Sequence, residues 1–240
     1  MLKTGKLFLT ILLCLGWLAG CSSITASRGH PHGEAMSADQ MIQTDFNRTV
    51  SLAMRDNLDS LTRLLEKLYR RNPAEWRKTS APTIEAAVEA GRQRILTGTL
   101  PEDLKGLRDI QVLSVALDPA YTGDRAGAFI FGVAETIVQA HNGRTRFYAA
   151  DLLDAQHVHN AARNVEAAAW MLSNRRGQNE GPLLLSNAWE GAQLNLSFER
   201  EFGAIIGRLD LIASLLDENL RRVGINYVQN LLLFKFLPVR

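Results

Sequence analysis

Phe46, Val50, Met54, Leu58, Leu61, Leu65 and Leu68 recur at steps of four and three. That stepping puts all seven on one stripe of an amphipathic helix. A strand, whose side chains alternate with period two, cannot gather them on one face. Such a stripe must be buried against other elements, and the rest of the chain offers more of the same. Ala128-Phe129-Ile130-Phe131-Gly132-Val133-Ala134 is the apolar centre of a helix expected over 123–141. Phe198, Phe202, Ile205, Leu209, Ile212, Leu216 and Leu220 form a second long stripe. No stretch alternates convincingly. The expected fold is therefore all-α, a single helical-bundle-like domain of about six to eight helices.

Local signals place the boundaries. Ser37 followed by Gln40 reads as a capping box that opens the first helix, and Asn72-Pro73 closes it near Arg71. A short turn over 73–78 carries Trp76. Pro82 opens a helix over 83–96 that Gly98 ends. Leu104, Leu107, Ile110, Leu113 and Leu117 mark a fourth segment, which stops before Asp118-Pro119. Asn142-Gly143 ends the apolar helix, and a long helix is predicted over 145–174. Residues 177–187 read as a loop. The last long helix runs over 197–222, with Asp217–Arg221 and Glu218–Arg222 as acid-before-base pairs. Gly224 is expected to break it before a short apolar tail helix over 225–236. The domain thus spans 37–240. Residues 21–36, rich in Ser and Gly, read as a flexible tether. His30 and His32 flank Pro31 there, and so mobile a pair is a poor chelator.

The segment before the tether has a different character. Lys3 and Lys6 precede a short apolar run from Leu7 to Leu18, followed by Leu18-Ala19-Gly20-Cys21. Positive start, apolar middle and small residues at the end are the parts of a secretory leader. The apolar run is shorter than the roughly 20 residues of a membrane span. Leu18-Ala19-Gly20-Cys21 resembles the lipobox of bacterial lipoproteins. That resemblance implies that residues 1–20 are a lipoprotein signal peptide removed ahead of Cys21. It further implies that Cys21 is the lipidation site, carrying diacylglycerol on its thiol and a fatty acyl chain such as palmitate on its amine. Ser22, where an inner-membrane lipoprotein would have Asp, implies an outer-membrane anchor with the domain facing the periplasm. Two or three buried chains hold firmly where one would not.

Counting supports the same route and removes several function classes. Of the two cysteines, Cys14 lies in the leader and Cys21 would be lipidated, which leaves the domain without a thiol. Thiol oxidoreductase, cysteine hydrolase and Cys-ligated zinc chemistry are thereby excluded. Without Lys3 and Lys6 the chain has 25 basic and 25 acidic residues, so no charge excess recommends nucleic acid as a partner.

Candidate chemistry is sparse. Gly123 and Gly127, Ala128 and Gly132, and Gly203 and Gly207 are spaced by four, and helices 123–141 and 197–222 are expected to touch through them. Asp124, Arg125 and Glu135 rule out reading 123–141 as a membrane span. Leu152, His159 and Glu166 are spaced by seven on an Ala-rich helix, and Glu135 stands alone in the most apolar one. Glu135, His159 and Glu166 are therefore the candidate polar site. The Glu-x-x-His pairs of bundle metal carboxylates are missing, and Asp151, Asp154 and His157 fan over about 120° of helix surface. No metal, cofactor or catalytic residue is assigned. Trp189, next to the loop 177–187, is the best candidate among Trp76, Trp170 and Trp189 for a surface contact. The basic cluster around Trp76, from Arg70 to Lys78, reads as a solvated turn. Nucleophile-elbow, zincin, phosphate-loop and dinucleotide motifs are all missing.

Three readings of function remain. The first is a lipid-anchored, non-enzymatic envelope protein, an accessory or scaffold subunit that meets a protein partner in a periplasm-facing assembly. The second is a periplasmic module that binds a small molecule or lipid in a pocket near Phe129, Phe131 and the tail. The third is an enzyme or metal site around His159.

Overall fold

Thr44 starts the first helix: its backbone is extended and its hydroxyl accepts the Asn47 N–H. Helix α1 (Asp45–Arg71) then buries Val50, Met54, Leu58, Leu61, Leu65 and Leu68, with Leu64 and Tyr69 beside them. A computed structural model describes residues 43–108, 110–148, 151–177, 180–190 and 193–235. The leader, Cys21, the tether and the capping box at Ser37 and Gln40 lie outside them. Every described core residue, from Val50 to Leu216, belongs to the unit Ile42–Arg240. That segment carries its own hydrophobic core.

Asn72-Pro73 ends α1, and Pro73 opens the single turn α2 (Pro73–Trp76). Helix α3 (Ile84–Thr97) is capped by Thr83 and closes on Gly98, whose φ of 66° is left-handed. The expected fourth helix is shorter than its pattern. A 3₁₀ turn (Glu102–Leu104) and a bend at Gly106 precede α4 (Ile110–Ala116). Asp124 caps α5 (Arg125–Ala140) by accepting the Gly127 N–H, and α6 (Ala155–Asn174) follows. A hairpin pairs β1 (Ala188–Glu190) antiparallel with β2 (Gln193–Asn195), Trp189 opposite Leu194. The chain ends in α7 (Ser197–Lys235). Seven α-helices and this small hairpin make up the described residues, and the domain is all-α.

Helix α5 is the hub. It packs on α1, α2, α3, α4 and α6, and all its residues from Ala126 to Ile137 but Gly127 are buried. Gly132 lets α4 approach, since a Cβ there would lie 2.9 Å from the Leu113 side chain and 3.2 Å from its backbone N. Helix α7 packs along α6 and α1.

Two more boundaries and one expected contact differ from expectation. The helix over 145–174 begins only at Ala155, because Asp154 accepts the Gln156 and His157 N–H groups and caps it there. Phe147, which the expected helix would have included, has other partners. The Phe147 N–H donates to Ser51 Oγ (3.0 Å), and the Phe147 ring lies 5.5 Å from the buried His141 ring. Gly224 does not break the last helix: α7 runs through it to Lys235, and a glycine's cost of about 1 kcal/mol is too small to stop a helix on its own. The small residues do not join α5 to α7 either. A methyl at Gly203 or Gly207 would meet no neighbour within 4 Å, and Gly127 faces Asp124 and Tyr69. The two helices meet through Phe129 and Phe202, edge to face with centroids 6.4 Å apart.

Candidate functional site

Phe131, Ala134, Glu135 and Val138 occupy one face of α5, at steps of three, one and three. Opposite them, α3 ends at Ile95, Leu96 and Thr97, and Gly98 turns the chain away. Between these walls is a cleft of about 190 Å³, bordered also by Arg108, Gln139, Gly143 and Thr145. Glu135 is the one carboxylate on it. Its side chain is 6% exposed, and Oε1 accepts from Arg108 Nη1 at 3.0 Å. Arg108 reaches in from the connection ahead of α4 and is itself 66% exposed. The pair therefore joins a carboxylate fixed in the core to a cation standing mostly in water.

The other two candidate residues lie in a different network. His159 is half exposed on α6, with Nδ1 3.7 Å from Asp210 Oδ1 of α7. Arg163 bridges Asp210 (2.7 Å) and Glu166 (3.2 Å). The structure thus brings His159 and Glu166 together through Arg163 and Asp210, and it gives Glu135 to Arg108. Leu152, seven residues before His159, precedes α6 and is exposed, so the seven-residue spacing does not make a buried seam. Among the described residues no group of three His, Cys, Asp or Glu side chains is placed to hold a metal ion.

Sequence reasoning missed Arg108, Asp210 and the buried polar cluster at the start of α5. Arg163 and Glu166 had a local signal, three residues apart on a helix. Arg108 had none, being 27 residues from Glu135. In the cluster, the Tyr69 hydroxyl donates to Asp124 Oδ2, and Glu75 accepts the Arg125 N–H (2.6 Å). Burial raises both the Tyr69 hydroxyl and the Asp124 carboxyl above their ordinary values. The buried Arg125 guanidinium donates to the carbonyls of Ala116 (2.5 Å), Asp118 (2.7 Å) and Tyr121 (2.8 Å). These contacts pin the α4–α5 connection.

Trp76 and the basic residues around it have structural partners. Trp76 packs on the core edge with the Arg77 guanidinium 5.6 Å from its ring. Arg70 pairs with Glu66 and Lys78 with Glu75, so this basic cluster is partly neutralised. Trp170 is exposed on α6. Trp189 lies in β1.

Among the described residues, no helix is long and apolar enough to cross a membrane. No protein-family model, curated protein or solved structure matches the chain.

Proposed function

We propose that this protein is a lipid-anchored component of the bacterial cell envelope, held in the outer membrane through acylated Cys21, with its helical domain in the periplasm. It acts by protein contact, as an accessory or scaffold subunit. The observation that carries this reading is Leu18-Ala19-Gly20-Cys21 behind a basic and apolar leader, ahead of a domain with no other cysteine. The first described helix starts at Asp45. The tether expected over residues 21–36 would hold the domain some tens of Å from the lipid surface when extended.

The contact surface is sought on α7. Its last described core residue is Leu216, and Asp217, Asn219, Leu220, Arg221 and Arg222 are exposed. The helix backbone continues to Lys235 through an apolar sequence that includes Ile225, Val228, Leu231 and Leu232. Sites of mixed charge followed by apolar residues suit a helix that lies along another protein.

Two measurements test the proposal. Mass spectrometry of protein from its native host is expected to find Cys21 as the acylated first residue. A Cys21→Ser variant is expected to leave the membrane fraction. An intact, unacylated leader would end the anchoring half. Cross-linking in cells is expected to trap a partner that is lost when residues 225–240 are deleted. A deletion that leaves every cross-link unchanged would end the contact role assigned to α7.

A further inference from the structure

We propose that the cleft beside Glu135 is a binding site for a small organic cation, a primary ammonium on a short apolar stem, which takes the place of Arg108. The inference does not depend on the envelope assignment and holds whether or not Cys21 is acylated.

The starting point is where Glu135 sits. It occupies the middle of the most apolar helix of the chain, where pattern alone asks for an apolar residue. An ionised carboxylate in such a place needs a cation close by, because leaving it without one is strongly unfavourable. Arg108, one cation that meets it, comes from outside the packed helices and is two-thirds in solvent. Most of the guanidinium is already hydrated, so exchanging it for another cation keeps Glu135 paired and costs Arg108 little. The guanidinium can therefore leave if another cation arrives.

The space next to the pair is shaped for the rest of such a ligand. An apolar cavity of about 150 Å³ accepts a benzene. The cleft has about 190 Å³, with Ile95, Phe131, Ala134 and Val138 as apolar walls and Thr97, Gln139 and Thr145 as polar borders. An ammonium at the Arg108 position would bond to Glu135 Oε1 and extend an alkyl stem of roughly four to six carbons along those walls. The charge sets the selectivity. A ligand anion would meet Glu135 with like charge, and a neutral alcohol would leave the existing pair undisturbed.

The test uses the full-length protein, labelled with ¹⁵N, and three probes: n-butylammonium, n-butanol and butyrate. Butylammonium is expected to shift the amide resonances of 95–98 and 131–139 saturably, with a Kd on the order of millimolar for so small a ligand. The alcohol and the acid are expected to leave them in place. Glu135→Gln keeps the shape and removes the charge, so it is expected to weaken the response by roughly tenfold or more. Arg108→Ala removes the competitor and is expected to tighten binding. The proposal is overturned if the three probes act alike, if E135Q binds as tightly as the parent, or if R108A binds no more tightly. Should E135Q fail to fold, the R108A comparison decides.

Discussion

The Tyr69 hydroxyl donates to Asp124 Oδ2 at 2.5 Å, tying the last turn of α1 to the cap of α5. Tyr69 is fully buried and Asp124 half-buried, so the hydroxyl has no ready replacement partner. Tyr69→Phe removes the donor and keeps the ring. It is expected to cost about 1–3 kcal/mol and to lower Tm by roughly 3–10 °C. A thermal melt beside the parent protein checks this, and an unchanged Tm would mean that the bond adds no net stability.

Arg125 holds three carbonyls of the α4–α5 connection with one planar guanidinium. A lysine has the charge but not the fork, and it cannot reach all three in the same directions. Arg125→Lys is expected to destabilise by about 2–4 kcal/mol, measured by urea unfolding. A midpoint within error of the parent would refute the keystone role.

Two glycines of equal appearance in the sequence should respond with opposite sign. Gly132→Ala drives a methyl into Leu113, including its backbone, and is expected to cost about 1–3 kcal/mol. Gly207→Ala meets nothing within 4 Å on an α7 helix that gains from alanine, and is expected to stabilise by about 0.5–1 kcal/mol. Equilibrium unfolding of the two variants gives the comparison, and a shared sign would contradict the packing described for α4 and α5.

His141 supplies a pH dependence. It is buried, its Nδ1–H donates to the Ile137 carbonyl at 2.8 Å, and burial pushes its pKa below the ordinary 6.5. The unfolded chain therefore binds a proton here before the folded one does. The resulting stability is complete above about pH 6.5 and declines as pH falls toward the folded value. His141→Asn keeps a donor but does not titrate. The stability gap between parent and variant is expected to shift in the variant's favour between about pH 7.5 and pH 5. Asp124 has the opposite linkage in a lower window: its raised carboxyl favours the folded state below about pH 3.8, and that gain is lost as pH rises through the folded value. Denaturation curves at several pH values check the His141 effect, and parallel slopes for the two proteins would overturn it.

What the sequence made legible was the part governed by period and by local stops. The α1 stripe, the buried α5 and the ends at Asn72-Pro73, Gly98 and Asn142-Gly143 follow from residues a few positions apart. The late start of α6 was hidden because Phe147 is held by Ser51, 96 residues away, and such a partner leaves no local mark. Gly224 looked like a stop, but one glycine does not outweigh a long helix around it. Glu135 was visible as an oddity in an apolar run. Its relation to Arg108 was not, and the seven-residue spacing that grouped His159 with Leu152 assumed a helix that had not yet begun.

The unbroken ladder of α7 has a mechanical meaning. Its inner half is clamped by Phe202, Leu209 and Leu216, and the outer half belongs to the same rod, about 58 Å long end to end. Without a hinge at Gly224 the two halves cannot swivel separately. A pull or twist applied near Lys235 is therefore taken up where the rod packs on α6 and α1.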